Sequence, residues 1–270
     1  MISDSISASP NGIIHFNNIL NRLVNKQPTT FIRFSDGETE ILRNRYLEIG
    51  SGITTFRGKE FKTSYPKLDS KRFDPNAHQN IRSDLLESAM FQGENYYKGI
   101  PTSHNNAIKD REFMLRLNGG FDSNMTFADL FLNSNYLLYR KLLVPEFNKF
   151  KNIYIIANYR ANPVAHLKTA EHIKVPDNFF ATYDECIKSI MHQLLAVENN
   201  SLVLCSASSL TNIIGYRLYK QRCDITFLDI GTSINDLLSL PNNTRVYHSD
   251  KKSGFSRFIF RNKSGYVLKW

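Results

Sequence analysis

An apolar segment followed by an acidic turn occupies residues 31–38, which read Phe31-Ile32-Arg33-Phe34-Ser35-Asp36-Gly37-Glu38. Bulky apolar side chains dominate the first half of this stretch, which is typical of a buried β-strand. The Ser-Asp-Gly-Glu turn then ends the strand, and residues 39–43 begin a helix. In open α/β sheets, ligands bind beyond the carboxyl ends of the strands. The acidic turn is therefore the first candidate for a functional site.

The two acids of this turn, Asp36 and Glu38, are suitable ligands for a divalent metal ion. A hard cation takes oxygen ligands, commonly one or two carboxylates together with the phosphates of a substrate. Arg33 lies just before them and adds a fixed positive charge that suits phosphate. The same residues also suit a helix start, in which Ser35 or Asp36 caps the helix and Glu38 interacts with the helix dipole. The spacing leaves both interpretations open.

A strand–helix–strand unit is predicted near the other end of the chain. Residues 201–205 form an apolar strand, Ser206-Ala207-Ser208-Ser209 forms a turn of small residues, and residues 210–220 form a helix. A further strand over 224–228 completes a right-handed βαβ unit. Strands alternate with helices along the whole chain. The pattern therefore predicts an α/β fold with a single Rossmann-like, doubly wound and mostly parallel sheet.

The remaining elements are predicted from hydrophobic periodicity. Helices are expected over residues 13–26, 77–92, 107–117, 126–147 and 182–197, and strands over 95–100 and 152–157. Residues 50–76 lack a clear period and are interpreted as a long excursion, a loop or lid on the acceptor side. The predicted organisation is a flexible arm (1–12), one domain (13–240) and a basic-aromatic C-terminal extension (241–270), a hairpin or tail.

Polar residues follow several of the predicted strands and are expected to meet at one edge of the sheet. Hydroxyls and free N–H groups at the start of a helix bind anions, although they also serve as simple N-caps. Other residues at this edge suit a diphosphate or a sugar hydroxyl, with a solvated loop or a cap as the alternative. The predicted nucleotide-binding set is Arg33, Asn158, Arg160, Ser206, Ser208, Ser209, Asp229 and Thr232.

The chain of 270 residues carries a net charge of +9, and its last twenty residues hold six basic and no acidic side chains. Aromatic residues alternate with these charges. A terminal hairpin, peripheral contact with an anionic membrane, or nucleic-acid binding would each explain the pattern. The sequence contains no apolar run of transmembrane length and begins without a secretory signal pattern. We therefore expect a cytoplasmic protein, with a peripheral location at the inner face of the membrane as the alternative.

Beyond these patterns, Arg-Phe-Ser-Asp-Gly-Glu resembles the Arg-Phe-Gly-Asp-Gly-Glu signature of the GT-D glycosyltransferases, formerly a domain of unknown function. Three further segments are similar to that family: the apolar strand and turn over 201–209, Phe227-Leu228-Asp229-Ile230-Gly231, and residues 178–185. The resemblance covers roughly residues 15–235. Two positions depart from the family pattern, since Ser35 and Ser206 stand where relatives have glycine.

The resemblance implies a Rossmann-like, metal-dependent glycosyltransferase that uses a nucleotide sugar, with a UDP-hexose as the expected donor. Asp36 and Glu38 would engage Mn²⁺ or Mg²⁺ and the donor diphosphate. The acceptor would be a surface glycan or a glycoprotein, and His104 and Asp129 are the candidate catalytic bases. A sugar-phosphate isomerase-type Rossmann enzyme and a basic nucleic-acid-binding protein are the alternatives. The two acids at the proposed ligand edge argue against specific nucleic-acid binding.

Overall fold

The computed structural model describes residues 11–50, 52–63, 70–101, 106–163, 167, 170–240 and 248. Its centre is a sheet of seven strands, all parallel, in the order β7-β6-β1-β11-β10-β8-β9. The predicted α/β, Rossmann-like architecture is therefore confirmed. The strands of this sheet are β1 (Thr30–Arg33), β6 (Tyr96–Ile100), β7 (Met125–Phe127), β8 (Ile153–Asn158), β9 (Ala170–Val175), β10 (Leu202–Ser206) and β11 (Thr226–Asp229).

Helices cover both faces of the sheet, which explains why the central strands are apolar on both sides. Along β1, Phe31 packs into one core cluster and Ile32 into the other. The helices are α1 (Gly12–Val24), α2 (Asp36–Leu42), α3 (Gln79–Met90), α4 (Asn106–Leu117), α5 (Tyr136–Leu138, the π-turn Tyr139–Leu143 and Val144–Phe147), α6 (Tyr183–Leu195) and α7 (Ser209–Gln221). Core residues of α1 and α5 pack on one face, and those of α3, α4, α6 and α7 pack on the other.

The order of the strands places a topological switch point between β1 and β11. After β1 the chain builds β6 and β7 on one side, and it then returns through β8, β9 and β10 on the other side. After β1 the chain turns onto one face of the sheet, where Ile41 and Leu42 pack, whereas after β11 it turns onto the opposite face, where Ile234 and Leu237 pack. Such a point opens a crevice at the carboxyl ends of the strands, which is where α/β sheets bind ligands.

Helix α7 lies directly across β1 and β11 and depends on a glycine. A Cβ atom at Gly215 would lie 2.6 Å from Cγ2 of Ile32 and 2.7 Å from Cε1 of Phe227. Both distances are too short for non-bonded carbon atoms, so only glycine allows this approach. The first turn of α7 is thereby held close to the ends of both strands.

Two predictions about the elements were wrong. Residues 50–76 are not merely an irregular excursion, because within 47–73 a small antiparallel sheet forms in the order β4-β3-β2-β5. Its strands are β2 (Leu47–Ile49), β3 (Ile53–Phe56), β4 (Lys59–Lys62) and β5 (Lys71–Phe73). The helix predicted over 126–147 begins instead with β7, and its helical part, α5, starts only at Tyr136.

Strand β9 was missed, and 3₁₀ turns over Asn133–Asn135, Phe179–Thr182 and Gly231–Leu237 were also not anticipated. Apart from His248, the predicted C-terminal extension lies outside the described residues, as does the arm up to residue 10. Within the described ranges, no helix combines the length and the apolarity needed to cross a membrane.

Candidate functional site

The candidate site is the edge of the sheet at which all seven parallel strands end. Most of the residues predicted from the sequence lie at or just beyond this edge, after five of the strands. His104 belongs to the undescribed segment 102–105. The placed residues are Arg33, Asp36 and Glu38 at β1, Asp129 after β7, Asn158 and Arg160 at β8, Ser206, Ser208 and Ser209 at β10, and Asp229 and Thr232 at β11.

The two acids of the turn after β1 have different surroundings. Glu38 is buried, and its Oε2 accepts a hydrogen bond of 3.0 Å from the backbone N–H of Ser35. Asp36 is exposed, and its Oδ1 accepts a bond of 2.9 Å from the N–H of Gly37. Glu38 therefore lies in the first turn of the helix, as the alternative interpretation expected, and also bonds back to Ser35. That contact occupies one carboxylate oxygen and leaves Asp36 open to solvent.

Arg33 and Asp229 join the two strands of the switch point. The Nη2 of Arg33 lies 3.0 Å from Oδ1 of Asp229, and the backbone N–H of Arg33 donates to Oδ2 at 3.1 Å. A second guanidinium nitrogen, Nη1, donates to the carbonyl oxygen of Ala128 at 3.3 Å. Burial raises the pKa of Asp229 to about 6, Arg33 opposes this shift, and the nearby charge of Glu38 adds to it.

Gly231 makes room for this ion pair. A Cβ atom at this position would lie 1.8 Å from Nη2 of Arg33, and the backbone φ is +43°. Both the space and the conformation require glycine. The sequence Asp229-Ile230-Gly231, which carried part of the resemblance, therefore has a structural reason: its acid pairs with Arg33 and its glycine leaves space for the guanidinium.

The turn between β10 and α7 brings together residues that are far apart in the sequence. Ser208 has φ 53° and ψ −144°, a backbone conformation that favours glycine. Its Oγ accepts a hydrogen bond of 2.8 Å from Nζ of Lys71 and donates to Oε1 of Glu38 at 3.4 Å. The hydroxyl of Thr211 accepts the N–H of Ala207 at 3.0 Å and stabilises the same turn.

Lys71 was not among the predicted site residues. It lies on β5 of the small sheet, and 137 positions separate it from Ser208. Its neighbours in the sequence, Ser70 and Arg72, form no recognisable motif with it. Only the folding of the small sheet against the main domain places Lys71 at this edge, so no sequence signal identified it.

Asp129 is buried at the end of β7, beside the Arg33 group. Burial raises the pKa of its carboxyl to about 7, and a hydrogen bond with Asn133 and the charge of Arg33 oppose this shift. Among the described residues, its Oδ1 has no hydrogen-bond partner. The backbone carbonyl of Asp129 accepts a bond of 3.1 Å from Nδ2 of Asn135, which fixes the loop that carries the acid.

The residues after β8 form a separate polar cluster around Asp177. Its carboxylate accepts a bond of 2.8 Å from Nδ2 of Asn158 and pairs with both terminal guanidinium nitrogens of Arg160. The guanidinium carbon of Arg160 also lies 4.4 Å from the ring centroid of Tyr159. The charge of Arg160 is thus largely compensated within this cluster. At β11, the carbonyl of Thr232 contacts Nε2 of His248 at 2.9 Å.

The acidic turn can hold a metal ion only in part. Within the described residues, no group of three or more His, Cys, Asp or Glu side chains is placed to enclose a metal ion. Asp36 and Glu38 offer two carboxylates, and the oxygens of Glu38 already accept the N–H of Ser35 and, at 3.4 Å, the hydroxyl of Ser208. This donor set fits a hard cation whose other ligands are water and substrate phosphate, as Mg²⁺ sites commonly are.

Comparison of this architecture with known proteins gives a clear result for the fold. No protein-family model matches the chain, and no curated protein matches it. Several solved structures, however, do match the chain. A glycosyltransferase (DUF1792) from Streptococcus sanguinis matches with a TM-score of 0.54 and 13% identity, and the match covers 90% of each chain. The chain has the same fold as this glycosyltransferase.

Two further DUF1792 structures also match the fold of this chain. One, described as showing that domain of unknown function 1792 has a distinct glycosyltransferase fold, matches with a TM-score of 0.52 and 14% identity over 80% of this chain and 76% of that chain. A selenomethionine-substituted DUF1792 structure matches with a TM-score of 0.52 and 12% identity over 94% and 90%. The DUF1792 fold extends over nearly the whole chain.

Proposed function

We propose that this protein is a metal-dependent glycosyltransferase that transfers a hexose from a UDP-sugar to a glycan or glycoprotein acceptor. One observation carries the proposal. In a chain with the DUF1792 glycosyltransferase fold, the Asp36-Gly37-Glu38 turn lies at the switch point between β1 and β11. This is the place where such a sheet binds its ligand, and the turn offers carboxylates for a cation.

Asp36 and Glu38 would hold the cation, Mn²⁺ or Mg²⁺, which when bound supplies Lewis-acid stabilisation of the charge on the departing diphosphate. Other side chains of the protein would position the phosphates and hydroxyls of the donor. The N-terminus of α7, with Ser208 and Ser209, lies at the same edge and offers N–H groups and hydroxyls to a phosphate. Arg33 pairs with Asp229 at the end of β11, and we propose that this acid accepts a hydroxyl of the nucleotide or sugar.

The more distant residues of the predicted set receive secondary roles in this proposal. Thr232 follows β11 and would contact a sugar hydroxyl. Ser206 ends β10 and Asn158 ends β8, with Arg160 two residues further on, on the side of the edge away from β1. Because Asp177 already pairs with Arg160, we propose that this arginine orients the β8 loop and adds only weakly to phosphate binding.

An inverting transfer needs a base that removes the proton of the acceptor hydroxyl, and we propose Asp129 or His104 for this role. A general base works best when its pKa lies near the working pH. Burial brings the pKa of Asp129 to about 7, so its carboxyl gains and loses a proton near neutral pH. Histidine is the side chain that most often serves as a general base, which makes His104 the second candidate.

A thermal-shift screen tests the proposal. Wild type and an Asp36→Asn/Glu38→Gln double variant are melted with nucleoside mono- and diphosphates and their sugars, each with Mn²⁺, Mg²⁺ or EDTA. A ligand at about 100 times its Kd stabilises the folded state by roughly 2.7 kcal/mol. We expect UDP or a UDP-sugar to raise the Tm of wild type only with metal, and to have no effect on the double variant.

Two other results of the screen would count against the proposal. If UDP raised the Tm of wild type equally in EDTA, nucleotide binding would not require a metal ion. Stabilisation by sugar phosphates but by no nucleotide would instead support an isomerase-type enzyme. A Glu60→Gln variant, changed on the exposed strand β4, is the matched control for loss of an acid away from the site.

A further inference from the structure

We infer that Lys71, on the small antiparallel sheet, binds the outer phosphate of the donor diphosphate and so makes that sheet part of the active site. The inference rests on the proposed function and extends it to a residue outside the Rossmann-like core. Lys71 lies on β5, which pairs with β2 in the small sheet. Its ammonium reaches across to the turn before α7.

A chain of hydrogen bonds places this ammonium beside the acidic turn. Nζ of Lys71 donates to Oγ of Ser208 at 2.8 Å, and the same hydroxyl donates to Oε1 of Glu38 at 3.4 Å. A lysine ammonium has three N–H donors. Within the described residues, one of them is used in the bond to Ser208. The others are available to an anion that enters between the acidic turn and α7.

The start of α7 supplies the second half of an anion site. The helix has 13 residues, and its first N–H groups have no partners within the helix, so this end carries a partial positive charge. Ser209, the first residue of α7, is completely buried, and its Oγ has no hydrogen-bond partner among the described residues. A buried hydroxyl without a partner is costly unless a ligand satisfies it. A phosphate oxygen provides such a partner.

The small sheet holds Lys71 in place before any ligand arrives. Two residues further along β5, Phe73 is completely buried and packs against the rings of His78 and Phe180, with centroids 5.9 Å and 6.0 Å away. The N–H of Arg72 donates to Oδ1 of Asn178 at 3.1 Å. A charge fixed in this way stabilises a developing negative charge without further reorganisation of the protein.

The competing explanation is that Lys71 only balances the charge of Glu38 and supports the Ser208 turn. The two explanations differ in what they predict for ligands. A lysine that binds the diphosphate favours UDP over UMP, because its contact with the outer phosphate exists only for UDP. A lysine with a purely structural role affects both nucleotides equally.

Calorimetric titration of UDP and UMP in the presence of Mn²⁺ separates these explanations. The variants are Lys71→Met, Lys71→Arg and the control Lys59→Met, which removes a lysine from the exposed strand β4 of the same sheet. A hydrogen bond to a charged group contributes about 1.5–3 kcal/mol. We therefore expect Lys71→Met to weaken UDP binding roughly 10- to 150-fold. UMP binding should change less than about threefold, Lys71→Arg should keep most of the UDP affinity, and Lys59→Met should match wild type.

The outcomes distinguish a failure of this inference from a failure of the proposed function. Suppose that wild type binds UDP but that Lys71→Met weakens the binding of UDP and UMP equally, or of neither. Lys71 then makes no contact with the outer phosphate, and the inference is wrong. If wild type binds no nucleotide, the proposed function itself is wrong. Should Lys71→Met fail to fold, Lys71→Gln keeps a donor for Ser208 without the charge and gives the same test.

Discussion

At the scale of single residues, the Arg33–Asp229 ion pair and Gly231 form one unit. A methyl group at position 231 would displace the guanidinium and strain a backbone with φ +43°. Breaking a buried ion pair typically costs 3–5 kcal/mol. We predict that Gly231→Ala lowers the free energy of unfolding by about 2–4 kcal/mol, measured by urea denaturation.

Gly58 provides a matched control for that substitution. It also has a positive φ, +70°, but a Cβ atom there would meet nothing within 4 Å. Gly58→Ala therefore reports backbone strain alone, about 1 kcal/mol. Equal losses of stability in the two variants would mean that Gly231 is needed only for its conformation, and that the ion pair adjusts without cost.

The raised pKa of Asp129 predicts how the free energy of unfolding depends on pH. Its carboxyl has a pKa of about 7 in the folded protein and an ordinary value of 3.8 otherwise. Between these values the folded state binds more protons than the unfolded state, so this group lowers the stability of wild type as the pH rises from about 4 to 7. We predict that Asp129→Asn, measured by urea denaturation, gains about 1–4 kcal/mol relative to wild type across this window. A difference that is constant with pH would show that Asp129 is ionised throughout.

At the scale of elements, Asp110 connects the small sheet to the main domain. Its carboxylate pairs with Arg43, which follows α2, at 3.2 Å, and with Arg57 in the turn between β3 and β4. Asp110 is buried on α4, and burial raises its pKa while the two arginines oppose the shift. One acid thus ties three elements together near the acidic turn.

Loss of this connection should destabilise the β3–β4 hairpin locally without unfolding the protein. We predict that in Asp110→Asn the backbone amides of β3 and β4 exchange with deuterium about tenfold faster, which corresponds to roughly 1.4 kcal/mol of local stability. The amides of β6, in the central sheet, should be unaffected. Unchanged exchange in β3 and β4, or faster exchange throughout the sheet, would contradict this role.

Elements with strong hydrophobic patterns were predictable from the sequence, and those without them were not. The central strands β10 and β11 and the helix between them were found within about two residues. Strand β9 was missed because it is an edge strand that carries Glu171, His172 and Lys174. Every residue of β4 is exposed, so that strand shows no alternation in burial. Strand β7 has only three residues, and the helical pattern that follows it obscured its start.

At the scale of the whole molecule, the site is assembled from distant parts of the sequence. The rule that parallel strands end at one edge predicted that the described residues of the set would lie along that edge, although Asn158 and Arg160 form a separate cluster there. It did not predict the pairs, because Arg33 and Asp229 lie 196 positions apart and Ser208 and Glu38 lie 170 positions apart. Nor did it predict Lys71, whose position depends on how the small sheet docks. Pairing at such distances is determined by tertiary packing, which a local pattern does not encode.

At the ends of β1 and β11, we propose that Asp36 and Glu38 bind a divalent cation together with the diphosphate of a nucleotide. Crystals of the protein with Mn²⁺ and UDP, measured at the manganese absorption edge, test it most directly. We predict an anomalous peak bonded to a carboxylate oxygen of Asp36, with the diphosphate between this peak and the first turn of α7. Bound UDP without manganese at the acidic turn, or manganese bound elsewhere on the protein, would contradict the account.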